Sequence, residues 1–269
     1  MQLIFGRSKW DMPDLPLARF LEKIKSQGFD ASEIFLPSLT EKPDEIAELH
    51  DRHGVQFIAM IASDGATLSE HLASLEQRFL LAAKAKPILI NCHTGRDIFP
   101  FEDNLKIFEL GSALSKEYGI SLVHETHRGR ATYSTFQTQA LISALPEIRL
   151  TADFSHWCCV HESLLADQQE TVDLAILHAD YIHARVGYPE GPQITDPRGD
   201  EWHTEVETHI AWWNQILHHH KKKGSSFLAI TPEFGPPPYM MRLPFTRQPV
   251  SDLDEINIHM MHLLKKRFA

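Results

Sequence analysis

The 269-residue chain is poor in cysteine, and its three, Cys92, Cys158 and Cys159, form no C-x-x-C element. An odd number argues against a secreted disulfide scaffold and makes a reducing compartment the expectation. Positive charge is also short: 26 basic against 36 acidic residues leave a formal net charge of -10. That balance gives no help to nonspecific binding of a phosphate backbone, so nucleic acid is an unlooked-for partner. No uninterrupted apolar run approaches the roughly 18 residues of a membrane span. The amino-terminus lacks the basic, apolar and small-residue succession of a signal peptide. The expectation is a cytoplasmic protein with no membrane partner. What is present, 43% hydrophobic, 23% charged and 9% aromatic residues, supports an ordered core and excludes a disordered or collagen-like chain. A chain of this size buries roughly three quarters of its extended surface and needs no disulfide or structural metal merely to fold.

Short runs of Ile, Leu, Val and Phe alternate with longer charged segments of helical period, the sequence form of a β/α protein. Eight strand segments are expected: Leu3 to Gly6, Ala31 to Leu36, Val55 to Ile61, Pro87 to Asn91, Ile120 to His124, Ile148 to Asp153, Tyr181 to Val186, and Phe227 to Thr231. Eight units of about 34 residues match a strand, two loops and a crossover helix, and no long polar linker interrupts them. One (β/α)8 TIM barrel over residues 1–269 is therefore expected. Helices are predicted over Pro16 to Gly28, Pro43 to His53, Ser69 to Ala85, Asp103 to Tyr118, Thr132 to Ala144, Glu205 to His220 and Asp252 to Lys266. His161 to Ala179 reads as one or two helices, and Gly187 to Trp202, with three prolines and three glycines, as a loop at the end where barrel active sites assemble.

Polar residues recur at the strand ends. His93 follows strand four, Glu125 strand five, Asp153 and His156 strand six, and Glu233 strand eight, while His183 lies in strand seven. A parallel barrel brings consecutive strand ends to one cavity. Glu125, Asp153, His183 and Glu233 then offer three carboxylates and one imidazole. That donor set suits one divalent ion, manganese, cobalt or zinc before magnesium. Three carboxylates crowded into an apolar mouth repel one another and lose hydration, penalties that a divalent cation offsets. The alternative is that they occupy separate salt-bridge or capping networks. His124 and His127 flank Glu125 and, by strand alternation, should not both face its ion; second-layer or structural roles are expected for them. Trp10 and Trp157 could form an apolar wall against a bound ligand or pack in the core. The contiguous His218, His219 and His220 spread around a helix and read as surface.

The segments NCHTGRD (Asn91 to Asp97), HETHRGR (His124 to Arg130), DFSHW (Asp153 to Trp157), YIHARVGYPEGPQ (Tyr181 to Gln193) and TPEFGPP (Thr231 to Pro237) carry a resemblance along essentially the whole chain. The chain resembles the xylose-isomerase-like TIM barrels, specifically the sugar-phosphate isomerase/epimerase family related to ketose 3-epimerases and to endonuclease IV. The resemblance implies Glu125, Asp153, His183 and Glu233 as metal ligands, Glu125 and Glu233 as catalytic proton carriers, and His156 as a contact to substrate near the metal. It also implies Arg185 as the arginine that follows the strand-seven histidine, and His93 as the strand-four histidine of the endonuclease branch.

The implied activity is metal-dependent isomerisation or epimerisation of a sugar, sugar acid or related polyhydroxy carbonyl compound through an enediolate. With two glutamates on opposite faces of one carbon the stereocentre inverts; with one carboxylate returning the proton to the neighbouring carbon, an aldose and a ketose interconvert. Two alternatives stand beside it: a metal-dependent phosphodiesterase like endonuclease IV, and a noncatalytic carbohydrate-binding barrel. The phosphodiesterase branch carries an Asp-x-His pair after strand seven, where this chain has Asp196, Pro197 and Arg198. A small polyhydroxy molecule is the expected partner, and a homo-oligomer is left open by composition.

Overall fold

A computed structural model describes residues 1–269. Eight parallel strands close a barrel in sequence order: β1 (Gln2–Ser8), β2 (Ala31–Phe35), β3 (Gln56–Ala62), β4 (Leu89–His93), β5 (Leu122–Glu125), β6 (Leu150–Ala152), β7 (Ala179–His183) and β8 (Phe227–Thr231). The outer helices are α1 (Leu17–Ser26), α2 (Pro43–His53), α3 (Leu68–Lys84), α4 (Phe101–Tyr118), α5 (Thr135–Ala144), α6 (Phe154–Val160), α7 (Gln169–His178), α8 (His203–Lys223) and α9 (Leu253–Arg267). None is long and apolar enough to cross a membrane.

All eight expected strands form, and the boundaries that move do so for local reasons. β6 stops at Ala152 because Asp153 turns out of the sheet to cap α6, its side chain accepting from the Ser155 amide. That short helix after β6 is absent from the sequence reading. α4 begins at Phe101 rather than Asp103, behind Pro100. Glu102 and Asp103 sit in its first turn, where negative charge meets the positive end of the helix dipole. α2 ends on Gly54 in the left-handed conformation, as its sequence implies.

The strand pleat divides the barrel into two environments. Outward positions such as Phe57, Ile90, Leu122, Ile182 and Ile230 pack against the helices in the main hydrophobic core. Inward, Ile4, Ala31, Ile58, Leu89, Val123, Tyr181 and Ala229 form a separate apolar plug. Since side chains repeat on a face every second residue, the layer above that plug takes Gly6, Glu33, Met60, Asn91, Glu125, His183 and Thr231. Gly6 is required there: a Cβ would lie 2.2 Å from Thr231 Oγ1. The polar layer thus rests on an apolar floor and faces the carboxyl ends of the strands.

Candidate metal centre

Glu125 ends β5, Asp153 follows β6, His183 ends β7 and Glu233 follows β8, and one donor atom from each lies within 4.8 Å of the others. All four residues are buried. His183 Nδ1 stands 2.8 Å from Glu233 Oε2 and 3.5 Å from Glu125 Oε2. Despite that proximity, neither His183 Nδ1 nor Glu233 Oε2 makes a hydrogen bond. Atoms that approach without bonding geometry, at spacings near the ~3 Å separating two donors on a common ion at ~2.1 Å, fit a shared cation. The donor set and the unpartnered atoms both suit a divalent metal.

A second tier holds these groups in place. Asn91 on β4 donates from Nδ2 to Glu125 Oε2 (2.9 Å) and to Glu33 Oε1 (3.2 Å), and accepts from Thr151 Oγ1 (2.8 Å). Glu33 on β2 accepts from His183 Nε2 at 2.8 Å. Arg185 pairs with Asp153 and stands 3.3 Å from Glu233. Ser155 bonds Asp153 Oδ1 through its hydroxyl and amide. His93 Nε2 lies 3.0 Å from Glu125 Oε2.

These contacts set the charges. For Glu125 burial opposes ionisation, but the His93 and His183 imidazoles outweigh it and hold the carboxyl well below its usual range. For His183 burial favours the neutral ring, yet Glu233, Glu33 and Glu125 raise its pKa well above that of a free imidazole. Burial pushes Asp153 up to about 6 against the opposing Arg185 charge, and pushes Glu33 up as well. Burial lowers His127 and His156 well below their usual range.

Above the cluster opens a cavity of about 250 Å³ lined by Ser8, Trp10, Phe35, Met60, His93, Glu125, His127, Arg185, Glu233 and Tyr239. Trp10 and Tyr239 meet edge to face at 5.3 Å, and the Tyr239 ring lies over the Arg185 guanidinium at 4.5 Å. The indole fits because residue 235 is glycine: a Cβ there would lie 1.7 Å from Trp10 Cζ2. A larger groove of about 560 Å³, lined by Glu109, Lys116, Leu122, Glu147 and Arg149 among others, lies near the opposite end of the barrel and contains no convergent donor set.

The structure brings together Glu125, Asp153, His183, Glu233, Arg185, His93 and Trp10. It corrects the expectation for Trp157, which is fully buried on α6, donates from Nε1 to the Thr132 carbonyl and stacks on Phe154 at 4.9 Å. His156 also does not face the cavity. It is fully buried beside Arg185, whose Nη2 lies 3.0 Å from its Nε2, and its ring packs tilted against His127, centroids 3.9 Å apart. His124 points outward, as strand alternation requires, hydrogen-bonded to Thr94 Oγ1 and packed on Phe108. His127 instead reaches the cavity wall, because the chain has already left β5. Sequence reasoning missed Glu33, Asn91 and Tyr239. For the first two the signal was present: each lies two residues beyond an apolar inward position of its strand.

No curated protein shows significant sequence similarity to the chain. Among solved structures, a xylose isomerase domain-containing protein from Salmonella typhimurium superposes with a TM-score of 0.66 at 14% identity, over 98% of this chain and 96% of that one. The 3-keto-D-glucoside 4-epimerase of E. coli gives 0.63 at 14%, over 98% and 100%. Endonuclease IV of Thermus thermophilus gives 0.59 at 14%, over 99% and 100%. At such identities the likeness is one of fold. The family model of the xylose isomerase-like TIM barrel matches residues 21–220, and the chain belongs to that family.

Proposed function

We propose that the protein is a divalent-metal-dependent isomerase or epimerase acting on a sugar, sugar acid or related polyhydroxy carbonyl compound. The observation that carries this reading is the convergence of Glu125, Asp153, His183 and Glu233 at the floor of a small, partly aromatic cavity. A bound divalent ion would supply Lewis acidity toward adjacent carbonyl and hydroxyl oxygens of the substrate.

The chain's own groups provide the rest. Glu125 is held ionised and oriented by Asn91 and His93, so its carboxylate is poised to take a proton from a carbon next to a carbonyl. Glu233, also at the cavity wall, when itself carrying a proton would deliver it from a second direction, which inverts the carbon and leaves Glu125 protonated and Glu233 ionised; return by the same carboxylate to the neighbouring carbon, with the hydroxyl proton passing to the former carbonyl oxygen, gives isomerisation instead. Arg185 balances the charge of Asp153 and Glu233 and fixes their orientation. Trp10 and Tyr239 offer faces for the apolar side of a sugar ring. The phosphodiesterase reading lacks support: Asp196 is paired with Arg198, which also bonds Glu255, so the loop after β7 presents an ion pair where that chemistry uses a histidine.

The test incubates metal-stripped protein, and protein reloaded with manganese, cobalt, zinc or magnesium, with a sugar panel in deuterated water. Metal-dependent deuterium uptake at a carbon adjacent to a carbonyl is expected, and Glu125→Gln and Glu233→Gln should each lower it by about 10²-fold or more. Cleavage of an abasic-site duplex without any exchange would overturn the assignment.

A further inference from the structure

The Glu33–His183 contact lies outside the four converging donors, yet it decides which nitrogen His183 presents to them. A neutral imidazole carries one proton, and the ring nitrogen hydrogen-bonded to an acceptor keeps it. Glu33 Oε1 is hydrogen-bonded to Nε2 at 2.8 Å, whereas Nδ1, although close to Glu233 and Glu125, makes no hydrogen bond to either. Both side chains are fully buried, so water cannot substitute for the carboxylate. Glu33 is itself restrained: Asn91 Nδ2, which also holds Glu125, donates to the same Oε1. Its other oxygen, Oε2, is buried without a partner. An incompletely satisfied buried carboxylate is costly unless positive charge stands nearby. Here it sits against the imidazole of the donor cluster.

We propose that Glu33 is a positioning residue for the metal site: by accepting from His183 Nε2 it fixes the ring with its proton on that nitrogen and leaves Nδ1 free on the side of the other donors. This inference rests on the metal site of the proposed function. Outer partners of this kind typically change metal affinity by about 10–100-fold. Glu33→Gln keeps a weaker oxygen acceptor for the Nε2 proton and puts an amide NH2 in place of the second carboxylate oxygen; Glu33→Ala loses the acceptor altogether.

Metal-stripped protein is titrated with cobalt(II) against a chromophoric chelator. The affinity is expected to fall about 10-fold in Glu33→Gln and about 100-fold in Glu33→Ala. Affinity equal to wild type in either soluble, folded variant overturns the proposal. If Glu33→Ala does not fold, Glu33→Gln and NMR of isotope-labelled histidine in the zinc-loaded wild type decide it, with His183 assigned by its loss in His183→Gln. A ring protonated on Nε2 supports the proposal, and one protonated on Nδ1 with Nε2 toward zinc overturns it. Wild type that binds no cobalt would overturn the metal site itself, whereas tight cobalt binding indifferent to Glu33 would overturn only this inference.

Discussion

Arg185 and Asp153 form a fully buried ion pair at the edge of the donor cluster, with the same guanidinium nitrogen 3.3 Å from Glu233 Oε2. In the metal-free protein this cation offsets part of the repulsion among the carboxylates. Removing one member of a buried pair leaves an uncompensated charge at a cost of about 3–5 kcal/mol. Arg185→Met is therefore expected to lower metal-free stability by that order. Added manganese should stabilise the variant more in proportion, since an ion that binds only the folded state shifts the equilibrium by mass action. Urea unfolding with and without manganese measures both effects. A variant with the wild-type midpoint in both conditions would show that Arg185 does not balance the cluster.

The two tryptophans that the sequence left equivalent occupy different environments. Trp157 is enclosed by Phe154 and the Thr132 carbonyl, whereas Trp10 lines the cavity. Truncating a buried tryptophan costs about 3–5 kcal/mol. Trp157→Ala should show that loss in denaturant unfolding, and Trp10→Ala a smaller one. The reverse ranking would place Trp157 back among the wall residues.

Most of the barrel could be read from the sequence because each strand is a compact apolar run and each crossover carries its own helical period. The four donors were legible for the same reason: barrel geometry alone gathers the ends of β5, β6, β7 and β8. What escaped was set by neighbours distant in sequence. Glu33 stands two residues beyond an apolar inward position, but only the closed barrel puts His183 against it and gives it a role. Asn91 acquires its role from contacts with Glu125, Thr151 and Glu33 on three other strands. Tyr239 comes from the long connection after β8, which has no periodicity to reveal which side chain turns inward. The helix at Phe154–Val160 is too short for its period to stand out.

Gly235 and Trp10 make a stricter pair than their separation in sequence suggests. A methyl group on residue 235 would overlap the indole, and a rigid ring cannot bend away from it. Overpacking of this kind costs about 1–3 kcal/mol. Gly235→Ala should lose that much stability, while in a Trp10→Ala background the same change should cost almost nothing. A double-mutant cycle with additive costs would mean that the indole is not what limits residue 235.

His209 supplies a pH dependence independent of the metal cluster. It is fully buried on α8, where its Nε2 accepts the Gly187 amide at 3.2 Å and its Nδ1 donates to the Glu205 carbonyl at 2.8 Å. That arrangement requires the neutral ring, and burial holds its pKa down to about 4 against the small opposing effect of the Glu205 carbonyl. The unfolded chain binds this proton near pH 6.5, while the folded chain resists it until about 4. Between those values the unfolded state carries more protons, so stability falls as pH falls and levels off below the folded pKa. The full difference is about 3 kcal/mol, at ~1.4 kcal/mol per pH unit. His124, lowered to about 3 by burial, adds to the same slope. His209→Gln retains an acceptor for Gly187 and cannot titrate. Its unfolding free energy should therefore decline less steeply than wild type between pH 6.5 and 4. Parallel pH profiles for the two proteins would show that the Gly187 contact does not depend on a neutral His209.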